Sequence, residues 1–110
     1  MVKAAFLSLD RRPTCRYRGT MEVSRAARLF AALGQETRLA AVRALAAADA
    51  DGLASGRLAA LLKVPANTLS AHLGILVGAG LVSSERRGTS IVYRAVPDVR
   101  ALVSEALFGE

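Results

Sequence analysis

The sequence is poor in the residues that most often carry chemistry or cross-links. Cys15 is the one cysteine, His72 the one histidine, and tryptophan is absent from the 110 residues. A single thiol cannot close an intrachain disulfide, which together with the lack of a secretion signal reads as a reducing, cytoplasmic setting. Catalysis needs positioned acids, bases or nucleophiles. Here the histidine and cysteine are far apart, no compact carboxylate pair occurs, and no glycine-rich phosphate loop substitutes for them, so the chain is not read as an enzyme. No apolar run approaches the roughly 18 residues of a membrane span, and Met1 to Leu9 lacks the basic start and sustained apolar stretch of a signal peptide. Acidic residues are also scarce: 9 Asp and Glu face 15 Lys and Arg, a net charge of +6.

What is present fits one folded domain. The chain is 53% hydrophobic and 22% charged, a folded rather than a disordered composition, and its length suits a single modest core. The basic surplus favours an anionic partner but is unevenly placed. Residues 1–20 hold Lys3, Arg11, Arg12, Arg16 and Arg18 against Asp10 alone, a surplus of four, leaving two for the rest. We therefore separate a basic leader, residues 1–20, from a domain over residues 21–108.

Apolar periodicity organises that domain. Val23, Ala26, Ala27, Phe30 and Leu33 predict a helix from about Met21 to Leu33, with Glu22 in its first turn and Gly34 at its end. A second helix begins near Glu36 or Thr37, with Leu39, Val42, Leu45 and Ala46 expected inward and Arg38 and Arg43 outward. It stops in Ala48-Asp49-Ala50-Asp51-Gly52. Leu53 introduces a short helix over Ser55 to Leu62, with Leu58, Leu61 and Leu62 expected inward. Pro65 opens the next, whose Leu69, Leu73, Leu76 and Val77 repeat at helical intervals while Asn67, Thr68 and Ser70 cluster at its start. Gly78 and Gly80 close it.

The period then changes to two. Leu81 to Arg86 and Ser90 to Val96 predict a hairpin turned by Arg87-Gly88-Thr89, anchored on the helices through Leu81, Ile91 or Tyr93. Pro97-Asp98 ends it, and Val99, Leu102, Val103, Ala106 and Leu107 mark a last amphipathic helix. The predicted class is mainly α with a small β-hairpin, in the order α-α-α-α-β-β-α.

Two helices joined by a short turn, then a basic hairpin, make a winged helix-turn-helix. Asn67, Thr68 and Ser70 would reach base edges in the major groove, while Arg86, Arg87 and Thr89 at the hairpin tip would hold phosphates. The bland reading of the two arginines is a solvated hairpin tip.

Three segments add a family resemblance. Ala32-Leu33-Gly34-Gln35-Glu36-Thr37-Arg38-Leu39, Thr68-Leu69-Ser70-Ala71-His72-Leu73, and Ala79-Gly80-Leu81-Val82 followed by Arg86-Arg87-Gly88 and Tyr93 resemble, in order and spacing, the ArsR/SmtB family of bacterial winged-helix repressors. The resemblance covers roughly residues 23 to 108. It implies a homodimer through the first and last helices, with Val23, Ala27, Phe30, Val99, Leu102, Val103 and Leu107 at the interface, reading double-stranded, palindromic operator DNA. It also implies repression relieved by a small effector. A monomer that folds both helices over its own core is the alternative for the dimer, and a winged-helix protein-interaction module without operator binding is the alternative for the function.

The resemblance places His72 on the reading helix, where a DNA-facing or orienting contact, a scaffold role and a metal ligand all stand as readings. Ala71 departs from the longer polar side chain that relatives often carry there. Neither familiar metal cluster is present: Ser55 to Leu61 contains no cysteine, and Asp98 to Glu105 contains no histidine. Cys15 underfills a soft-metal site even when shared between two chains. Arginines at positions 12, 16 and 18 would favour its thiolate. An incidental thiol, a redox sensor and a shared ligand for arsenite or a soft metal ion therefore remain open. Relatives also place sensing cysteines past the last helix.

Overall fold

A computed structural model describes residues 21–109, so the leader and Cys15 lie outside the described residues. Five helices and three short strands follow one another as α1 (Val23–Leu33), α2 (Glu36–Ala47), β1 (Leu53–Ala54), α3 (Ser55–Leu62), α4 (Ala66–Gly78), β2 (Val82–Arg87), β3 (Ser90–Ala95) and α5 (Val99–Phe108). All five helices and the hairpin predicted from periodicity are present. Glu22 proves to be the N-cap of α1 rather than part of its first turn.

With so few aromatics the core is built from aliphatics. Leu29, Leu58, Leu69, Leu73, Leu76 and Leu81 are its largest fully buried side chains, and Tyr93 is the aromatic that joins them. Ala26, Ala32, Ala41 and Ala59 are buried with them, and such short side chains let the helices approach closely. Among the described residues no polar or charged residue is fully buried.

Four side chains expected inward face solvent instead. Leu39, Leu61 and Val77 are exposed apolar residues, and Ala46 is exposed as well. On α2 the inward stripe is Arg38, Ala41, Val42 and Leu45. This stripe and the predicted one share Val42 and Leu45, and the alanines around them carry too little hydrophobic contrast to separate the two registers. Arg38 tolerates the inner position because its guanidinium finds acceptors there. Its Nε donates to the Ala32 carbonyl at 2.6 Å, while its backbone N–H donates to Gln35 Oε1 at 2.9 Å.

β1 was not expected. It pairs with β3 through Leu53↔Tyr93 and Ala54↔Val92, making a three-stranded antiparallel sheet in the order β1-β3-β2. Two residues carry no alternation to read, and a tertiary pairing partner forty residues on is what makes them a strand. The approach to β1 is tight. Asp49 Oδ1 accepts from the Asp51 N–H, the Asp49 carbonyl accepts from the Gly52 N–H, and Gly52 sits at φ +73°. A Cβ there would run into the Tyr93 carbonyl oxygen and lie 2.7 Å from Arg94 Cγ. Gly52→Ala is therefore expected to destabilise the fold by about 1–3 kcal/mol, through left-handed strain plus displacement of β3. Thermal unfolding of the variant checks it; an unchanged midpoint contradicts this packing.

Lys63 closes α3 in the left-handed region at φ 59°, with its own N–H on the Ala60 carbonyl and the Val64 N–H on the Ala59 carbonyl. The chain turns through 108° between α3 and α4, within the helix-turn-helix range. Pro65 is the N-cap of α4, and Gly80 at φ +83° follows its end. Arg87 pairs with Ser90, so the hairpin turn is the two residues Gly88 and Thr89, one shorter than expected. Gly88 supplies the positive φ of 62° that such a turn takes at its first position.

Candidate nucleic-acid interface

Helix α4, the reading helix of the sequence-based expectation, turns a bare face outward. Leu69, Leu73 and Leu76 pin one side of α4 into the core. At 100° per residue the opposite side is then Asn67, Ala71, Gly74 and Gly78, with Thr68, Ser70 and Ile75 along its edges, all exposed. Ala71 is thus part of a strip in which only the first turn carries polar side chains. Asn67 Oδ1 accepts from the Thr68 N–H at 3.0 Å, satisfying one of the amides that a helix start leaves unpaired. Its amide NH₂ remains available as a donor, whereas two-pronged adenine recognition would need that Oδ1 back. Ser70 is exposed one turn further on.

His72 leans away from this strip toward α2. It is half-buried, and its Nδ1 lies 3.2 Å from Arg38 Nη1. Guanidinium only donates, so Nδ1 accepts and, in the neutral ring, Nε2 carries the hydrogen. One arginine thereby ties the C-terminal end of α1, the start of α2 and the reading helix together. Sequence reasoning missed Arg38; the signal was its place on the i, i+3, i+4, i+7 stripe with Ala41, Val42 and Leu45.

The wing carries its two arginines on opposite faces. Partners across an antiparallel pair share a face. Arg86 therefore shares one with Ile91, Tyr93 and Val82, while Arg87 shares the other with Glu85, Val92 and Arg94. Glu85 Oε1 accepts from Arg94 Nη1 at 2.8 Å and lies 3.4 Å from Arg87 Nη2. Arg94 Nε donates in turn to the Ala50 carbonyl at 2.9 Å, fastening the wing to the loop before β1. The hydrogen bond from Arg94, followed by the charge of Arg87, holds the Glu85 carboxyl below its usual range. It stays ionised at neutral pH, and Arg87 is released as pH falls through that lowered value. Thr89 is exposed in the turn.

The first and last helices pack on each other within one chain. Of the seven residues expected at the dimer interface, Val99, Leu102 and Val103 are already partly buried against the core, and Phe30 is half-buried. Val23 and Leu107 remain 84% and 62% exposed, Ala27 is exposed, and Phe108 at 68% joins them. The predicted helix stopped one residue short of Phe108. Among the described residues no three His, Cys, Asp or Glu side chains are grouped to hold a metal ion. No single described helix is long and apolar enough to cross a membrane.

Comparison with known proteins agrees with this architecture. Residues 33–85 match a helix-turn-helix domain family. The chain is 36% identical over 74 residues to an uncharacterized HTH-type transcriptional regulator of Methanocaldococcus jannaschii, covering 67% of this chain and 81% of that one. It superposes on the solution structure of the homodimeric winged helix-turn-helix DNA-binding domain of a possible ArsR-family transcriptional regulator from Mycobacterium bovis. The TM-score there is 0.66 at 31% identity, over 74% of each chain. An ArsR-like transcriptional regulator from Rhodococcus sp. RHA1 gives 0.63 at 33% identity over 76% of each. With the reading helix, the wing and these likenesses together, the chain belongs to the ArsR-like family of winged helix-turn-helix transcriptional regulators, which bind DNA and are not enzymes.

Proposed function

We propose that this regulator is a homodimeric, sequence-specific repressor that occupies a palindromic operator in the cytoplasm and is released from it by a small effector. Residues 21–108 act as the DNA-binding and dimerisation domain behind a basic leader over residues 1–20. The observation that carries the reading is the polar first turn of α4, exposed opposite the leucine face, followed directly by an arginine-tipped hairpin. Asn67, Thr68 and Ser70 read base edges, His72 is held in place by Arg38, and Arg86, Arg87 and Thr89 hold the backbone. A compact dimer of this size represses by covering a promoter, and an effector releases it by binding the DNA-weak conformation more tightly. Cys15 is the chain's sole thiol and the candidate point of action for arsenite, a soft metal ion or an oxidant.

Selection of bound fragments from genomic DNA gives the operator, and two variants then separate the roles. Ser70→Ala is expected to narrow the gap between matched and mismatched sites by about 1–3 kcal/mol. Arg86→Ala is expected to weaken both alike and to lower the salt slope by about one. Equal losses for Ser70→Ala on matched and mismatched DNA contradict the base-reading role. Failure to recover any operator turns the reading toward a protein-interaction module.

A further inference from the structure

A groove of about 520 Å³ lies on the side of α1 away from the exposed apolar residues, between α1, the start of α2 and the far end of α4. Arg25, Arg28 and Arg38 line it, over a floor that includes Leu29, Ile75 and Ala79. Its size falls in the range of small-ligand sites, about 300–1,000 Å³. Among the described residues the ion pairs are those of Glu85 on the wing, and no Asp or Glu is among the residues that line the groove beside the three arginines. Ile75 is 48% exposed at the same place. A helix C-terminus ordinarily repels anions. Here the Ile75, Leu76 and Val77 carbonyls are occupied by the N–H groups of Ala79, Leu81 and Gly80, which blunts that repulsion.

Two positions separate this groove from the surfaces already assigned. Around α1, Arg28 and Phe30 stand about 100° to either side of buried Leu29, so a second copy seated on Val23, Ala27 and Phe30 leaves the arginine flank open. Along α4, Gly78 is about 16 Å from Asn67 at 1.5 Å per residue, so the groove sits at the end opposite the base-reading turn.

We propose that this groove binds an organic anion with an apolar body, a carboxylate held by the arginines with its chain on Ile75 and Leu29, and that binding loosens the reading helix. The second half rests on the operator-binding reading above. Arg38 is the link, because this groove-lining residue is the one whose Nη1 holds His72 Nδ1. A carboxylate is a stronger acceptor for guanidinium than a neutral imidazole, so an anion draws Arg38 from His72, and the reading helix loses its tie to α2. Reciprocity requires operator DNA to weaken anion binding by the same factor.

Titration calorimetry on the full chain tests this with octanoate as the probe, inorganic phosphate as the charge-only arm and 1-octanol as the apolar-only arm. Octanoate is expected to bind at least tenfold more tightly than either, and Arg25→Gln/Arg28→Gln to lose at least tenfold of that affinity with unchanged operator affinity in the absence of octanoate. Saturating octanoate is expected to weaken operator binding at least fivefold in the parent chain and not in the double variant. Absence of octanoate binding at millimolar concentration, or equal binding by the variant, overturns the site. So does a variant that loses DNA affinity and salt slope without octanoate, since its arginines then serve the DNA backbone. Undiminished operator binding under saturating octanoate overturns the coupling. Arginine-dependent octanoate binding by a chain that recovers no operator supports the site and overturns only the operator reading.

Discussion

Val23→Glu/Leu107→Glu is expected to leave a folded chain that sediments as a monomer and binds its operator at least a hundredfold more weakly than the parent. Both side chains are largely exposed in the single chain, so glutamates there remain in water and cost the monomer's fold little. Across a twofold interface the same carboxylates would be desolvated against apolar partners and would face their own symmetry mates, a penalty of several kcal/mol. Loss of the dimer removes one reading helix from each complex. Binding of the second half-site then ceases to be intramolecular, and avidity of about 10²–10⁴ disappears with it. Sedimentation velocity and fluorescence anisotropy on the operator measure the two effects. Far-UV circular dichroism guards against unfolding. A dimer that survives both substitutions, or a parent chain that is monomeric at DNA-binding concentrations, rejects the interface.

Leu73→Ala is the second large effect. Leu73 is fully buried in the middle of α4, and this helix packs against α2, α3 and β2 as well as α1. Truncation removes the apolar contacts of a fully buried side chain and leaves a cavity that the fixed backbones close only in part. The expected cost is about 2–5 kcal/mol, a large share of the roughly 5–15 kcal/mol that holds a domain together. At about 4–8 °C per kcal/mol for a domain of this size, the midpoint should fall by about 8 °C or more. No arginine or base-reading side chain is changed, so below the new midpoint the salt slope of DNA binding should match the parent's. A loss under 1 kcal/mol would mean that α4 is seated differently.

The sequence carried the element order because each helix has at least one leucine or valine stripe and the hairpin has alternation plus Gly88. What it did not carry depends on partners distant along the chain. Leu53 and Ala54 become a strand only because Tyr93 and Val92 stand beside them. Arg38 turns inward because Ala32 and His72 offer acceptors there. Leu39, Leu61 and Val77 looked like core by residue type, but a small core has limited room. For the proposed DNA-facing surface, Asn67, Thr68 and Ser70 were readable as a polar leading edge before a leucine run. The division of the wing was not, since adjacent arginines in a string do not announce which face of a ribbon each will take until the register with Ile91 and Val92 is known.

The bare strip of Ala71 and Gly74 bears on how such a helix would discriminate between DNA sites. Long side chains let a helix ride high in the major groove and reach down to individual bases. A Cβ built at Gly74 meets nothing within 4 Å, so the free space lies outside the protein. On the DNA-reading proposal, the helix settles its backbone toward the groove floor and touches few base edges after Ser70. Discrimination then shifts toward groove width and the energy of deforming it, which varies with sequence at positions no side chain contacts. The operator of this regulator should accordingly tolerate base changes under the second half of the helix so long as they preserve groove shape, and reject isolated stiffening steps that a table of side-chain contacts would treat as neutral.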